Sequence, residues 1–576
     1  MNGTELTALR INHMSDPLAI DDPHPSFRWQ MRTGRRGARQ TAYRMIVRSG
    51  SRLFWDSGRI ESACSAGIRY PEEAIPLERE TVYDWLLTVW DEHNEPVSAD
   101  TRFSTGLMSR SLEEWHGAQW IGPDEISFSA ETLPVFRFNF RMQIREGGSS
   151  AGVVFGASDP RLNVSIHNNY LICGENYIAY RLNVSAIPAT VEVSRKGYAP
   201  GEDRETVVEV MKVPAEVIRE DNRYEEHRFE IVVSGNQMEV MTVDGHALET
   251  EKENLRMVSS PLKKVTERTH LVLNPLKAVM DVPVYPRLCQ IGFVTDAETT
   301  AVFTEYSVRH YGGEQNEIFS ARTGATWEVF SGKPGVSVGQ DRITAASGTL
   351  CYSNPSYGSI PMFRKSFFLD RDISSAKVYA AARGIYELTL NGQKVGKEYL
   401  ANGDMDFSSR ILYAAYDVTS LLQNGENVLG AQVASGWYGD QTSYTLENYN
   451  WYGDRQSLLA LLAVTFSDGT VEYIPTGSDW QYYGEGPVRY AGNFNGELYD
   501  ATREAAIEGW NLPGFSAREW RRAVQISPLV LGREPLIQAK PDPGIFHTET
   551  LTASFAGVET RGKDHAKVFL YDMGVN

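Results

Sequence analysis

Apolar and polar residues alternate along most of this chain. The pattern is clear in Tyr43 to Arg48 (YRMIVR), Val82 to Trp90 (VYDWLLTVW), Phe136 to Met142 (FRFNFRM), Arg228 to Val233 (RFEIVV) and Lys377 to Ala382 (KVYAAA). Period-two runs rich in Val, Ile, Tyr and Phe predict strands with one buried face. Asn391-Gly392, Asp244-Gly245 and Asp468-Gly469 sit between such runs and predict hairpin turns. Helical patterns are few and short, with Thr419 to Leu422 and Ser516 to Ala523 as candidates. The expected class is a multidomain all-β protein.

Turn spacing divides the chain. Residues 1–107 read as one sandwich of about seven strands, with Trp29, Trp55 and Trp85 expected in its core. Residues 124–312 form a second unit. Its phrase HRFEIVVSGNQMEVMTVDG is a hairpin pair ending in Asp-Gly, similar to concanavalin or laminin-G jelly rolls. The Glu- and Arg-rich stretch from Pro200 to Tyr224 is expected to be a solvated loop or short helix. Ser320 to Ser359 reads as a Gly/Ser/Thr-rich connector carrying a few strands. It contains Gly335-Val336-Ser337-Val338-Gly339, formally a nucleophile elbow. An elbow needs a following helix, and Gln340 to Leu350 has no helical period, so a strand is expected. The third unit is 320–525, with a first strand from 113–122, and 526–576 begins a further β-sandwich.

Charge narrows the partners. The 576 residues hold 56 Lys and Arg against 74 Asp and Glu, a net charge of −18. Such a chain repels nucleic acid and anionic membranes and suits neutral partners such as sugars. Cys64, Cys173, Cys289 and Cys351 make neither a disulfide framework nor a CxxC zinc pair. No run of 18 apolar residues occurs, and the opening residues lack a basic, apolar leader, so a cytoplasmic location is expected.

Longer motifs carry a family resemblance. "YRMIVRSG…LFWDSGRIES…YDWLLTVWDEHNEPVS…RFSTGL…WHGAQWIGP" is similar to the opening fibronectin-type-III-like sandwich of bacterial α-L-rhamnosidases of glycoside hydrolase family 78. "FRKSFFL…YELTLNGQKVG…YDVTSLLQNGENVLGAQVASGWYG" resembles their rhamnosidase N-terminal domain, a galactose-binding-like jelly roll. "GELYDATREAAIEGWNLPGF…W" and "EPLIQAKPDP…VFLYDMGVN" resemble the approach to the next β-sandwich, with Val575 where the family has Gln. The 124–312 unit is then a concanavalin/laminin-G-like jelly-roll insert. The resemblance implies rhamnose-containing glycosides as partners. It places the paired catalytic carboxylates of an inverting glycosidase in a downstream helical barrel. No catalytic residue is therefore expected here, and the chain reads as an accessory, sugar-binding half without turnover of its own. Two alternatives stay open. One is a stand-alone carbohydrate-binding or scaffold protein. The other is half of a split enzyme with a separately encoded catalytic domain, for which an exposed Val568 to Tyr571 would speak.

Two candidate sites follow. Trp437, Tyr438, Asp440, Trp451 and Tyr452 lie in a span with six aromatics in sixteen residues. Aromatic faces and hydrogen-bonding side chains suit a deoxy sugar with one apolar edge, but the same span could be an interdomain packing seam. Asp404 and Asp406, beside Asn402, offer oxygen ligands for Ca²⁺, which some accessory domains of the family use to hold rhamnose. Their other reading is a capped turn. No other cofactor is indicated. Glu497, Asp500 and Glu504 cluster in "NGELYDATREA" and are expected to brace a loop, with Arg503 as partner.

Overall fold

A computed structural model describes residues 4–108, 110–123, 135–158, 176–197, 203–234, 237–249, 254–257, 262–265, 271–272, 289–310, 317–321, 327, 330–353, 360–439, 452–453, 455–493, 496–561 and 566–574. The fold is all-β. Among the described residues no helix is long and apolar enough to cross a membrane.

The first sandwich sets a sheet of Glu5–Ile11, Ser26–Arg32 and Ile68–Arg69 against one built around Gln40–Ser49, Arg52–Asp56, Val82–Asp91 and Pro96–Ser104. Alternation decides which side chains go inward. Tyr83, Trp85, Leu87 and Val89 point into the core, and the residues between them reach the surface or its edge. Trp85 is fully buried and meets the Phe27 ring at 4.8 Å and Trp29 at 6.4 Å. Trp29 also donates its indole N–H to Gln40 Oε1 at 2.8 Å. Trp55 is only partly buried against the same core.

The second sandwich uses the same rule. Phe138, Phe140, Met142 and Ile144 of the strand Val135–Ile144 face the core, while Arg137, Asn139, Arg141 and Gln143 face out. Two expectations change here. Val336–Val338 and Arg342–Ala346 extend the sheet of Thr300–His310, and Leu350–Ser353 pairs with Cys289–Thr295 in the opposite sheet. This unit therefore runs to 353, not 312, and the supposed connector supplies outer strands of the insert's two sheets. Its Gly and Ser residues make tight turns between those strands. Part of the stretch read as loop or helix is also a strand: Thr206–Lys212 pairs along Thr190–Lys196 at a sheet edge. Its charged residues masked the pattern because an edge strand keeps one face in water.

The third sandwich begins with Met362–Leu369 rather than at 320. One sheet follows the order Gln393–Lys394, Ile385–Leu390, Gly425–Ala434, Met362–Leu369, Gln481–Tyr483, Arg521–Arg522. The other is centred on Ile373–Arg383 and Ser457–Phe466, with Ile121–Gly122 and Val524–Gln525 at one side and Arg410–Asp417 at the other. Leu536–Ala539 adds in parallel to Arg410–Asp417, so the segment after 525 first completes this sandwich. Farther on, Ser554–Arg561 and Ala566–Asp572 form a hairpin. Ser516 to Ala523 is not a helix: it turns and enters Arg521–Arg522, because Trp520 and Ala523 are drawn into two different cores. Thr419–Leu421 is a single 3₁₀ turn, with Asp417 accepting from the Thr419 N–H at 2.9 Å.

Replacing Trp85 with Ala empties the centre of the first core. The expected cost is about 3–5 kcal/mol in denaturant unfolding. A midpoint shift near zero would place Trp85 outside the load of that core.

Candidate functional site

The strand Ser457–Phe466 (SLLALLAVTF) is apolar almost without interruption, and each face has its own partner. Leu458, Ala460, Leu462 and Val464 enter the core of the third sandwich. Leu459, Leu461 and Ala463 face the other way, into a second core shared with Leu107, Trp115 and Trp120 of the segment leaving the first sandwich. That second core is the seam between the two sandwiches. Arg383 lies in it at 1% exposure. Its guanidinium donates to the carbonyls of Ser527 (2.7 Å) and Pro528 (2.6 Å) and covers the Trp120 ring at 4.7 Å. Burial holds its pKa below the usual guanidinium value.

The aromatic span lands in this seam. Tyr438 is 5% exposed, and Trp437 and Tyr452 pack beside it half-buried. Phe407 sits 5.4 Å from both Tyr438 and Tyr452, and those two rings stack at 6.3 Å. The described part of the span thus serves packing, and Tyr438 offers no open platform to a sugar. Asp440 and Trp451 lie outside the described residues.

Asp406 closes a turn. Its Oδ1 accepts from the Ser408 N–H (3.0 Å) and hydroxyl (2.6 Å), and its Oδ2 from the Ser409 hydroxyl (2.7 Å). These bonds hold its carboxyl below the usual range. Among the described residues no group of three or more His, Cys, Asp or Glu is placed to hold a metal ion, so Asp404 and Asp406 gain no third such ligand. The Asp406 geometry is that of a capped turn. Asp500 similarly caps the 3₁₀ segment Ala501–Ile507, and Arg503 bridges Asp500 (3.1 Å) and Glu485 (2.5 Å). Tyr499 donates to Glu504 at 2.7 Å.

Sequence reasoning missed the residue that joins the seam. Asp21, in the first sandwich, accepts from the Met108 N–H (2.9 Å) and the Tyr413 hydroxyl (2.7 Å) on Oδ1, and from the Ala539 N–H (2.7 Å) on Oδ2. Tyr413 in turn accepts from the Leu107 N–H at 2.8 Å. A Cβ on Gly106 would strike both the Tyr413 hydroxyl and the Asp21 carboxylate. Burial raises the Asp21 pKa, outweighing the hydrogen bonds from Tyr413, Ala539 and Met108 and the charge of Arg110.

A different surface is open. The outer face of the nine-stranded sheet of the insert holds a groove of about 980 Å³. Arg141 spans it, pairing with Glu305 at 2.8 Å and Glu226 at 3.2 Å. Asn139 and Arg228 also line it, and their side chains have no hydrogen-bond partner among those described, whereas Ser307 is buried beneath it. Amide and guanidinium groups set on one sheet face can hold a polyhydroxylated ligand by paired hydrogen bonds.

These features define a class: a multidomain β-sandwich protein with a rigid internal seam and an open polar face on its insert. Comparison with known proteins makes it more specific. Residues 371–543 match the α-L-rhamnosidase N-terminal domain, and residues 6–109 match the Rha78A-like N-terminal immunoglobulin domain. An α-L-rhamnosidase of Streptomyces avermitilis is 29% identical over 90% of this chain and 44% of its own length. One from an Alteromonas species is 34% identical over 27% of this chain and 17% of its own. The crystal structure of the Streptomyces avermitilis enzyme with L-rhamnose superposes with a TM-score of 0.54 at 23% identity, covering 97% of this chain and 48% of that one. The chain corresponds to the N-terminal portion of the family 78 α-L-rhamnosidases. It spans less than half the length of the curated relatives it matches.

Asp21→Ala leaves two backbone N–H groups and a buried hydroxyl without an acceptor. The expected loss is about 3 kcal/mol or more, with Gly106→Ala destabilising as well; unchanged unfolding midpoints for both would remove Asp21 from this role. The pH sign is also fixed. A carboxyl whose native pKa is raised binds its proton more tightly when folded. Its contribution is full below the ordinary carboxylate value and is lost as pH rises through the native value. Wild-type stability measured against Asp21→Asn should therefore fall as pH rises from the ordinary carboxylate value through the raised native one. A rise over that window would contradict the assignment.

Proposed function

We propose that this chain is the accessory, carbohydrate-binding part of an α-L-rhamnosidase system and performs no hydrolysis itself. The polar groove on the insert, with Asn139 and Arg228 unoccupied along one sheet face, carries the reading. Terminal rhamnose units of glycosides are its expected ligand. The catalytic half of the proposal rests on the carboxyl groups. A glycosidase needs a general acid whose pKa is raised in a cleft, facing a second carboxylate about 5–9.5 Å away. Burial raises the Asp21 carboxyl pKa, but its oxygens are taken by structural hydrogen bonds and are not free for acid catalysis.

One surface favours operation with further polypeptide over a stand-alone binder. The hairpin of Ser554–Arg561 and Ala566–Asp572 exposes Phe555 (60%), Phe569 (60%) and Tyr571 (59%) together. Such a patch on a two-stranded sheet suits a covering partner.

Two assays test this. Release of the chromophore from an aryl α-L-rhamnoside by the purified 576-residue chain should not exceed the buffer rate; robust turnover sinks the non-catalytic reading. L-rhamnose titration followed by NMR should show saturable binding that Asn139→Ala weakens about fivefold, the loss of one hydrogen bond. Absence of binding, or binding indifferent to Asn139→Ala, sinks the groove.

A further inference from the structure

A separate cavity of about 480 Å³ opens where the first sandwich meets the third. Three stretches remote in sequence line it: residues 10–19, the region 397–416, and 540–546. Most of the surface is apolar, with Met14, Pro17, Leu18 and Phe546 among the contributors. A charged pair is set into this wall. Lys540 Nζ bonds Glu398, whose other oxygen accepts from the Tyr416 hydroxyl at 3.1 Å. The two charged side chains are 12% and 8% exposed. Gly544 allows the chain to fold this closely, since a Cβ there would strike Glu398 Oε1.

A buried ion pair is a poor way to gain stability, because apolar residues of similar volume usually do as well. Its placement in a cavity wall points to recognition. The remaining hydrogen-bond capacity indicates what is recognised. Both Glu398 oxygens are engaged, by Lys540 and Tyr416. Asp542 Oδ1 accepts from the Gly544 N–H and lies 3.4 Å from Lys540, and Asp16 accepts from Thr101. The donors are in surplus. Lys540 has three N–H groups and two carboxylate neighbours. Arg10 gives one N–H to the His13 carbonyl at 3.4 Å, and its buried Nε has no partner among the described residues. Lys397 stands exposed at the rim.

We propose that this cleft binds a ring-sized carboxylate. The anionic group faces Arg10, Lys397 and Lys540, and the ring lies against the apolar wall with Phe546. A sugar acid and an aromatic acid share this chemistry, and the volume admits either.

The test is calorimetric titration of the full chain with D-glucuronate and with benzoate, each beside its neutral counterpart, D-glucose or benzyl alcohol. At least one acid should bind about tenfold tighter than its counterpart, equivalent to about 1.4 kcal/mol. Which acid does so identifies the source. Arg10→Gln and Lys397→Gln should each weaken that acid at least about threefold and leave L-rhamnose binding at the insert unchanged. Equal binding of acids and neutral counterparts overturns the proposal. So does an acid preference that survives both substitutions in chains whose melting temperatures match wild type. Rhamnose binding without acid binding rejects the cleft alone, and the reverse rejects the insert groove alone.

Discussion

The sheet built on Ile373–Arg383 and Ser457–Phe466 is apolar on both faces, and the rest of the arrangement answers that fact. A two-faced sheet must be covered twice. The third sandwich covers one face with its own opposite sheet. The other face, carrying Tyr379, Ala381, Leu459 and Leu461, is closed by Trp115 and Trp120 from one side of the chain and by Val530 and Ile537 from the other. Each closing segment brings backbone groups that must be paired as they leave water. Asp21 pairs two of them, and Arg383 satisfies two carbonyls more. The seam is therefore specified by a few polar contacts set inside a large apolar one. Those contacts fix the register of the first sandwich against the third, as hydrophobic area alone would not.

This division of labour explains what could be read from the chain. Strands of the first sandwich were legible because one face meets solvent and alternation survives, as in Val82–Asp91. Ser457–Phe466 was legible as apolar but not as two-faced, since a continuous run does not say what covers each side. Thr206–Lys212 and the strands between 336 and 353, at or next to a sheet edge, were obscured by charge, Gly and Ser, which edges and tight turns both favour. The end of the insert was misplaced for that reason.

The candidate sites were less legible than the fold. An aromatic-rich span in a sequence cannot distinguish a sugar platform from a packing seam, because both want flat apolar rings with one polar end. Burial decides, and it places Tyr438 inside. Asp21 gave no signal at all. Its partners lie 87, 392 and 518 residues away, and an Asp between Ile20 and Asp22 resembles any turn residue. Gly106 is the nearest thing to a clue, but its need for space appears only once Tyr413 is beside it.

Rigidity of the seam also bears on how the two open sites can act. The cleft near Glu398 is framed by the first sandwich, by Arg410–Asp417 and by the segment that pairs with that strand in parallel. The Asp21 bonds tie these same three parts together. A ligand in the cleft therefore meets walls already fixed, and little ordering cost is left for binding to meet. The insert groove is different in origin. It lies on a single sheet whose register is set by its own strand pairs, Val135–Ile144 between Glu226–Ser234 and Thr300–His310. Loosening the seam should disturb the cleft while leaving the groove intact, because no residue of the groove takes part in the seam.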